Sequence, residues 1–127
     1  MIYTSYFAKA RNLDRSKYIF CSIARYNPSW FEVDYHLIKL SPLPHILKGI
    51  KEEGWTTSDY MVAYWRQLAY DDPIDIFDAV KSLQDLSEEE GKDVLLLCYE
   101  TPDQFCHRKL LTSLIRDVTG VNITELI

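Results

Sequence analysis

Apolar residues follow two rhythms along this chain. Residues 18–24 (Tyr-Ile-Phe-Cys-Ser-Ile-Ala) and 94–99 (Val-Leu-Leu-Leu-Cys-Tyr) are short runs without alternation, each closed by polar or turn residues. That is the pattern of strands covered on both faces in a parallel sheet. Residues 2–6 are rich in β-formers and predict a first strand. Residues 35–40 alternate Tyr, Leu, Ile and Leu with polar partners and predict a short edge strand, and residues 121–125 a last one.

Between these runs the period changes to that of helices. Residues 44–53 form a helix closed by Gly54. A second starts at a cap on Thr57 or Ser58 and carries Met61, Tyr64, Trp65 and Leu68. A third has Pro73 in its first turn and the stripe Ile74, Phe77, Val80 and Leu83. The last spans residues 104–117, with Leu110, Leu111, Leu114 and Ile115 inward and Gly120 beyond its end. No repeat, linker or low-complexity tract interrupts the chain, so residues 1–127 are read as one domain. Strands interleaved with helices make it α/β: a single three-layer domain with a mostly parallel central sheet flanked by helices.

Composition narrows the function classes. With 127 residues, 47% hydrophobic and only 4 Gly and 5 Pro, the chain is neither disordered nor a disulfide scaffold. The net charge of −5 excludes a grip on nucleic acid through bulk charge alone, leaving a local basic patch as the route. Such a patch is offered by residues 1–17, where Lys9, Arg11, Arg15 and Lys17 face Asp14 alone; a solvated loop is the simpler reading. Residues 71–90 hold eight acids against Lys81, which reads as a solvated helix face and a turn at residues 87–91. The start lacks the basic-then-apolar order of a signal peptide, and no apolar run is long enough for a membrane span. Cys21, Cys98 and Cys106 are an odd number, so free thiols and a cytoplasmic location are expected, with no membrane partner.

The chemistry concentrates between residues 94 and 108. A buried strand ends at Cys98, a short loop carries Glu100, and a helix begins near Cys106-His107-Arg108. Open parallel sheets bind ligands outside the carboxyl ends of their strands, and a helix start offers free N–H groups to an anion. An Arg in a first helical turn opposes the helix dipole, so Arg108 calls for an anion or an acidic side chain nearby. Arg25, at the end of the second predicted strand, is expected to join Arg108 in a clamp for phosphate or carboxylate. Glu100 either orients an arginine, acts as acid or base, or simply pairs with Arg108. Cys106, beside His107 and Arg108, has the surroundings that lower a thiol pKa; Cys98 is either a second reactive thiol or a small core residue. Ser5 and Tyr6 close the first strand on the same rim. Trp30 follows Arg25 in an irregular segment and either stacks a nucleobase or caps the core. The Cys–Arg spacings fit no phosphatase loop. No metal is expected: no Cys-x-x-Cys pair is present, and adjacent Cys106 and His107 would diverge from a helix.

The order apolar strand, Cys98-x-Glu100, Cys106-His107-Arg108 resembles the signature of the DUF488 family of small α/β proteins. Residues 2–5 resemble its first strand, and residues 22–28, with Arg25 and Pro28, its second; the segment 73–83 and the Cys-x-Glu strand follow in the family's order. Ser5-Tyr6 stands where the family usually has a Gly-His or similar pair, and Ala24 where it often has Asp. The resemblance implies the fold and the pocket and conveys no reaction. Three functions fit these residues: an enzyme-like pocket for a phosphate-bearing small molecule or nucleotide, a non-catalytic nucleotide or nucleic-acid recognition module, or a small, phage-encoded interaction protein. In the first, Cys106, His107, Glu100 and Cys98 are catalytic, and Arg25, Arg108, Ser5, Tyr6 and Trp30 bind ligand; no cofactor is expected.

Overall fold

The computed structural model describes residues 1–126 and contains one five-stranded sheet in which every pair is parallel. The strands are β1 (Ile2–Tyr6), β2 (Tyr18–Ser22), β3 (Tyr35–His36), β4 (Asp93–Cys98) and β5 (Thr124–Glu125), in the order β3-β2-β4-β1-β5. Central β4 explains why its sequence does not alternate. Val94, Leu96 and Cys98 enter one core and Leu95 and Leu97 the other, and all five are fully buried. Each such side chain contributes about 1.5–3 kcal/mol on leaving water.

The two faces are covered unequally. Four helices, α2 (Pro44–Glu52), α3 (Thr57–Arg66), α4 (Ile76–Glu90) and α5 (His107–Thr119), send their apolar residues to the face of Val94, Leu96 and Cys98. Among the described residues, the opposite face has only α1 (Phe7–Ala10) and loops, around Phe7, Phe20 and Phe31 packed at 5.3 Å between ring centroids. The third layer is therefore thin. The basic N-terminal stretch helps to cover it: Arg15 lies over the rings of Phe20 and Phe31, and Arg11 over Trp30.

Several boundaries move for local reasons. Thr56, one residue before the expected caps, starts α3 through a capping box with Asp59. Asp75 caps α4 by accepting from the Asp78 N–H, so Pro73 and Ile74 precede the helix and residues 87–90 are its last turn, ended by Gly91 at φ 63°. Phe77 consequently points outward, 60% exposed, while Val80 and Leu83 are buried and Ile74 and Ile76 pack half-buried against the same core. Trp65 is also partly exposed because α3 presents Tyr60 and Tyr64 to the core. The expected strand at 35–40 stops after two residues and turns into a 3₁₀ turn at Ile38–Leu40, while the last strand is only Thr124–Glu125. Helix α1 is too short to leave a periodic trace in the sequence.

The end of α3 unwinds into a π turn over Gln67–Asp71. Buried Gln67 there accepts from the Leu43 N–H at 2.8 Å and donates to the Ser41 carbonyl at 2.7 Å. Tyr64 donates to the Leu40 carbonyl at 2.6 Å. These bonds fix segment 40–43 beside the carboxyl end of the sheet.

Candidate functional site

Beyond Ser22, strand β2 makes one more bond to β4, from the Ile23 N–H to the Leu97 carbonyl at 2.9 Å, and then turns. The turn delivers Arg25 to the carboxyl edge, where β4 delivers Cys98 and Glu100 and the start of α5 delivers Cys106 and His107. These five residues line one cavity of about 240 Å³. Its walls add Lys51 from α2, Tyr60 from α3, Pro42, and the rings of Tyr26, Tyr99 and Phe105. Phe105 meets Tyr60 edge-on at 5.1 Å, and Tyr99 meets Phe7 at 5.1 Å. The cavity thus has a largely apolar, aromatic wall with two cations.

Its floor is a buried cluster. The Cys98 and Cys106 sulfurs and a ring nitrogen of His107 all lie within 4.8 Å of one another. Adjacent Cys106 and His107 were expected to diverge. They do not, because Cys106 is the N-cap of α5, with extended backbone (φ −150°, ψ 145°), so the helical spacing of side chains does not apply to it. Cys106 Sγ stands 3.7 Å from His107 Nδ1. His107 Nε2 is 2.6 Å from the Ile23 carbonyl oxygen, which can only accept. Nε2 therefore carries the proton and Nδ1 is left bare toward the sulfur. Burial pushes the His107 pKa down to about 4, against the raising effect of the Ile23 carbonyl, so the ring is neutral at pH 7. The Tyr64 ring fixes its tilt, edge-on at 5.7 Å.

The thiol of Cys106 is not activated as its position at a helix start suggests. Its hydrogen bond with Cys98 and its burial hold its pKa well above the usual thiol range, outweighing the Arg108 backbone N–H that favours the thiolate. All three cysteines are free and buried.

Arg108 also departs from expectation. It is fully buried and does not line the cavity. Nε and Nη2 donate to the two oxygens of Glu125 at 3.0 and 3.2 Å, and Nη1 donates to Cys98 Sγ at 2.7 Å and to the Glu100 carbonyl. Burial alone would lower its pKa, but the Glu125 carboxylate and the Cys98 sulfur more than offset that. The acid that Arg108 calls for is thus internal, on β5. It is not Glu100, whose contact is through its backbone. Arg25 is engaged at Nε by the Pro42 carbonyl (3.0 Å) and at Nη2 by the Ser41 carbonyl (3.3 Å), and the two arginines form no common clamp.

Three more expected ligand-binding residues stand away from the cavity. Ser5 is in register with Leu97, so it faces the thin side of the sheet, where its Oγ is buried without a partner. Tyr6 is in register with Cys98 but does not reach the cavity. Trp30, 53% exposed, packs edge-on against Phe31 on the thin side and serves as a cap there. The wall residues Lys51, Tyr60 and Phe105 and the anchor Glu125 were not anticipated. Lys51 and Tyr60 sit on ordinary amphipathic helices, and nothing local in their sequence marks them.

Residues 8–119 match the family model DUF488-N3a, described as the active DUF488-N3 subclade. No curated protein and no solved structure matches the chain. Among the described residues, no helix is long and apolar enough to cross a membrane.

Proposed function

The chain belongs to the DUF488-N3a family, and on that footing we propose that its cavity binds a phosphate-bearing, nucleotide-like small molecule and acts on it at the Cys98–Cys106–His107 floor. One observation carries the proposal: Arg25, Cys98, Glu100, Cys106 and His107, from three separate stretches of chain, meet around one cavity. The aromatic walls suit a flat ring. Arg25, half-buried, and Lys51, exposed, are the cations among the lining residues, and the phosphate sits beside them at the rim. Arg25 keeps N–H donors beyond the two that hold segment 41–42. The anion seat is therefore this rim pair, not the start of α5 with Arg108. Glu100, the carboxylate among the lining residues, carries protons. The family description as an active subclade favours catalysis over a recognition module.

Titration of mononucleotides, matching nucleosides and inorganic phosphate into wild type, Arg25→Ala and Lys51→Ala tests this. A charge-assisted hydrogen bond is worth about 1.5–3 kcal/mol, so each substitution should weaken nucleotide binding at least tenfold and leave nucleoside binding nearly unchanged. Wild type that binds none of them refutes the proposal. Tight binding without turnover of any nucleotide leaves the recognition module.

A further inference from the structure

We propose that Cys98, Cys106 and His107 form a binding site for one borderline-soft divalent cation of the zinc class, with a fourth position open to the cavity. The three donor atoms already stand close to the required spacing. Tetrahedral zinc with Zn–S of about 2.3 Å and Zn–N of about 2.0–2.1 Å places sulfur and nitrogen ligands about 3.5 Å apart and two sulfurs about 3.8 Å apart. Cys106 Sγ and His107 Nδ1 are 3.7 Å apart, and no pair in the cluster exceeds 4.8 Å.

The surroundings fit a metal as well as the donors do. A histidine that binds a metal through one nitrogen typically gives its other N–H to a carbonyl or carboxylate, which fixes the tautomer. His107 does this through Nε2 to the Ile23 carbonyl at 2.6 Å, leaving Nδ1 as the ligand atom. Arg108 donates to Cys98 Sγ, the outer-shell N–H that a metal-bound thiolate accepts. The charges also close. Two thiolates neutralise the dication, and the Arg108 guanidinium is already neutralised by Glu125. On binding, the two thiol protons leave to solvent through the cavity. Two sulfurs and an imidazole select zinc-class ions over magnesium or calcium, which require oxygen ligands. Three protein ligands with one side open is the catalytic rather than the structural pattern. Water in the fourth position, near Glu100, would be a stronger acid than bulk water. The site gives the floor a role in which the raised Cys106 thiol needs no nucleophilicity of its own.

The test uses the intact chain under reducing conditions, without nucleotide, so it succeeds or fails independently of the ligand proposal. Elemental analysis after expression with zinc should find one equivalent per chain. Replacement by Co²⁺ should give the intense visible bands of tetrahedral cobalt together with sulfur-to-cobalt charge transfer in the near ultraviolet. Cys98→Ser, Cys106→Ser and His107→Ala should each weaken binding at least tenfold, since even the loss of an outer-shell partner costs 10–100-fold. Cys21→Ser, altered outside the cavity, should retain full affinity. A wild-type protein that takes up neither zinc nor cobalt overturns the site whatever the variants do. So does a weak octahedral cobalt spectrum, or a tetrahedral one that survives loss of either cavity cysteine.

Discussion

Replacing Glu125 by Ala isolates the charge at the base of α5. The Arg108 side chain is fully buried, and that of Glu125 is 26% exposed. The substitution removes the acceptor for Arg108 Nε and Nη2 and for the Thr4 hydroxyl, which donates to the same carboxylate at 2.9 Å. A buried charge stripped of its partner costs about 3–5 kcal/mol. Glu125 opens to solvent on one side, so water partly fills its place and the expected loss lies near the lower limit, about 3 kcal/mol. For 127 residues, an unfolding entropy of about 2.1 cal/mol/K per residue converts this to a fall of about 11 °C in Tm. Urea unfolding followed by tryptophan fluorescence should show a lower midpoint with an unchanged slope. The Lys81–Asp85 pair is the control: its 3.1 Å separation nearly equals the 3.0 Å of Arg108–Glu125, but both side chains are exposed. Asp85→Ala should cost only about 0.3–0.5 kcal/mol. The double variant Arg108→Met/Glu125→Leu, which exchanges the pair for apolar side chains, should recover most of the loss. Equal effects of Glu125→Ala and Asp85→Ala would refute the argument, since burial rather than distance is held to decide the cost.

Three further outcomes are expected. Burial, with Asp34 and Glu90 nearby, pushes the Cys21 thiol up to about 12; a raised folded-state pKa means that stability is complete below the ordinary value near 9 and drains as pH climbs from there toward 12. Cys21→Ala should therefore flatten the alkaline limb of a stability–pH curve, and an unaltered slope would contradict the assignment. Ser5→Ala removes a buried hydroxyl that has no partner, so the thermal midpoint should hold or rise, by up to about 1 kcal/mol in stability, and a clear fall would reveal a partner. Gln67→Leu leaves the Leu43 N–H without its partner and the Ser41 carbonyl with Arg25 alone and should cost about 1–3 kcal/mol while loosening the carbonyls that hold Arg25; measured stability equal to wild type would show that segment 40–43 stands without it.

The two central strands and four main helices could be read from the sequence because burial on both faces, or on one helical stripe, leaves a local signature. β2 and β4 are unbroken apolar runs for that reason, and Gly54 and Gly120, at φ 70° and 77°, mark helix ends that few other residues tolerate. Phe77 and Trp65 were misplaced because helical period alone does not fix which face turns inward once a cap shifts by a residue or two. Arg25, Cys98, Glu100, Cys106 and His107 could be picked out because each follows a recognisable strand or starts a recognisable helix, and open parallel sheets place sites at that edge.

What the sequence by itself determined, then, is local: an α/β chain, its strand ends, and the small set of reactive side chains carried on them. Tertiary structure decided which of those side chains meet. Parallel strands pair through connections of many residues, so nothing near Arg108 announces Glu125, which lies 17 positions away on a strand of two residues. The side of the sheet that Ser5 faces depends on its register with Leu97, which only the assembled sheet defines. The convergence of Cys106 and His107 depends on extended backbone at one N-cap, and the raised Cys106 thiol on a neighbour eight residues back that folding brings alongside. Such outcomes follow from burial and from distances between remote segments, quantities that exist only once the chain has packed.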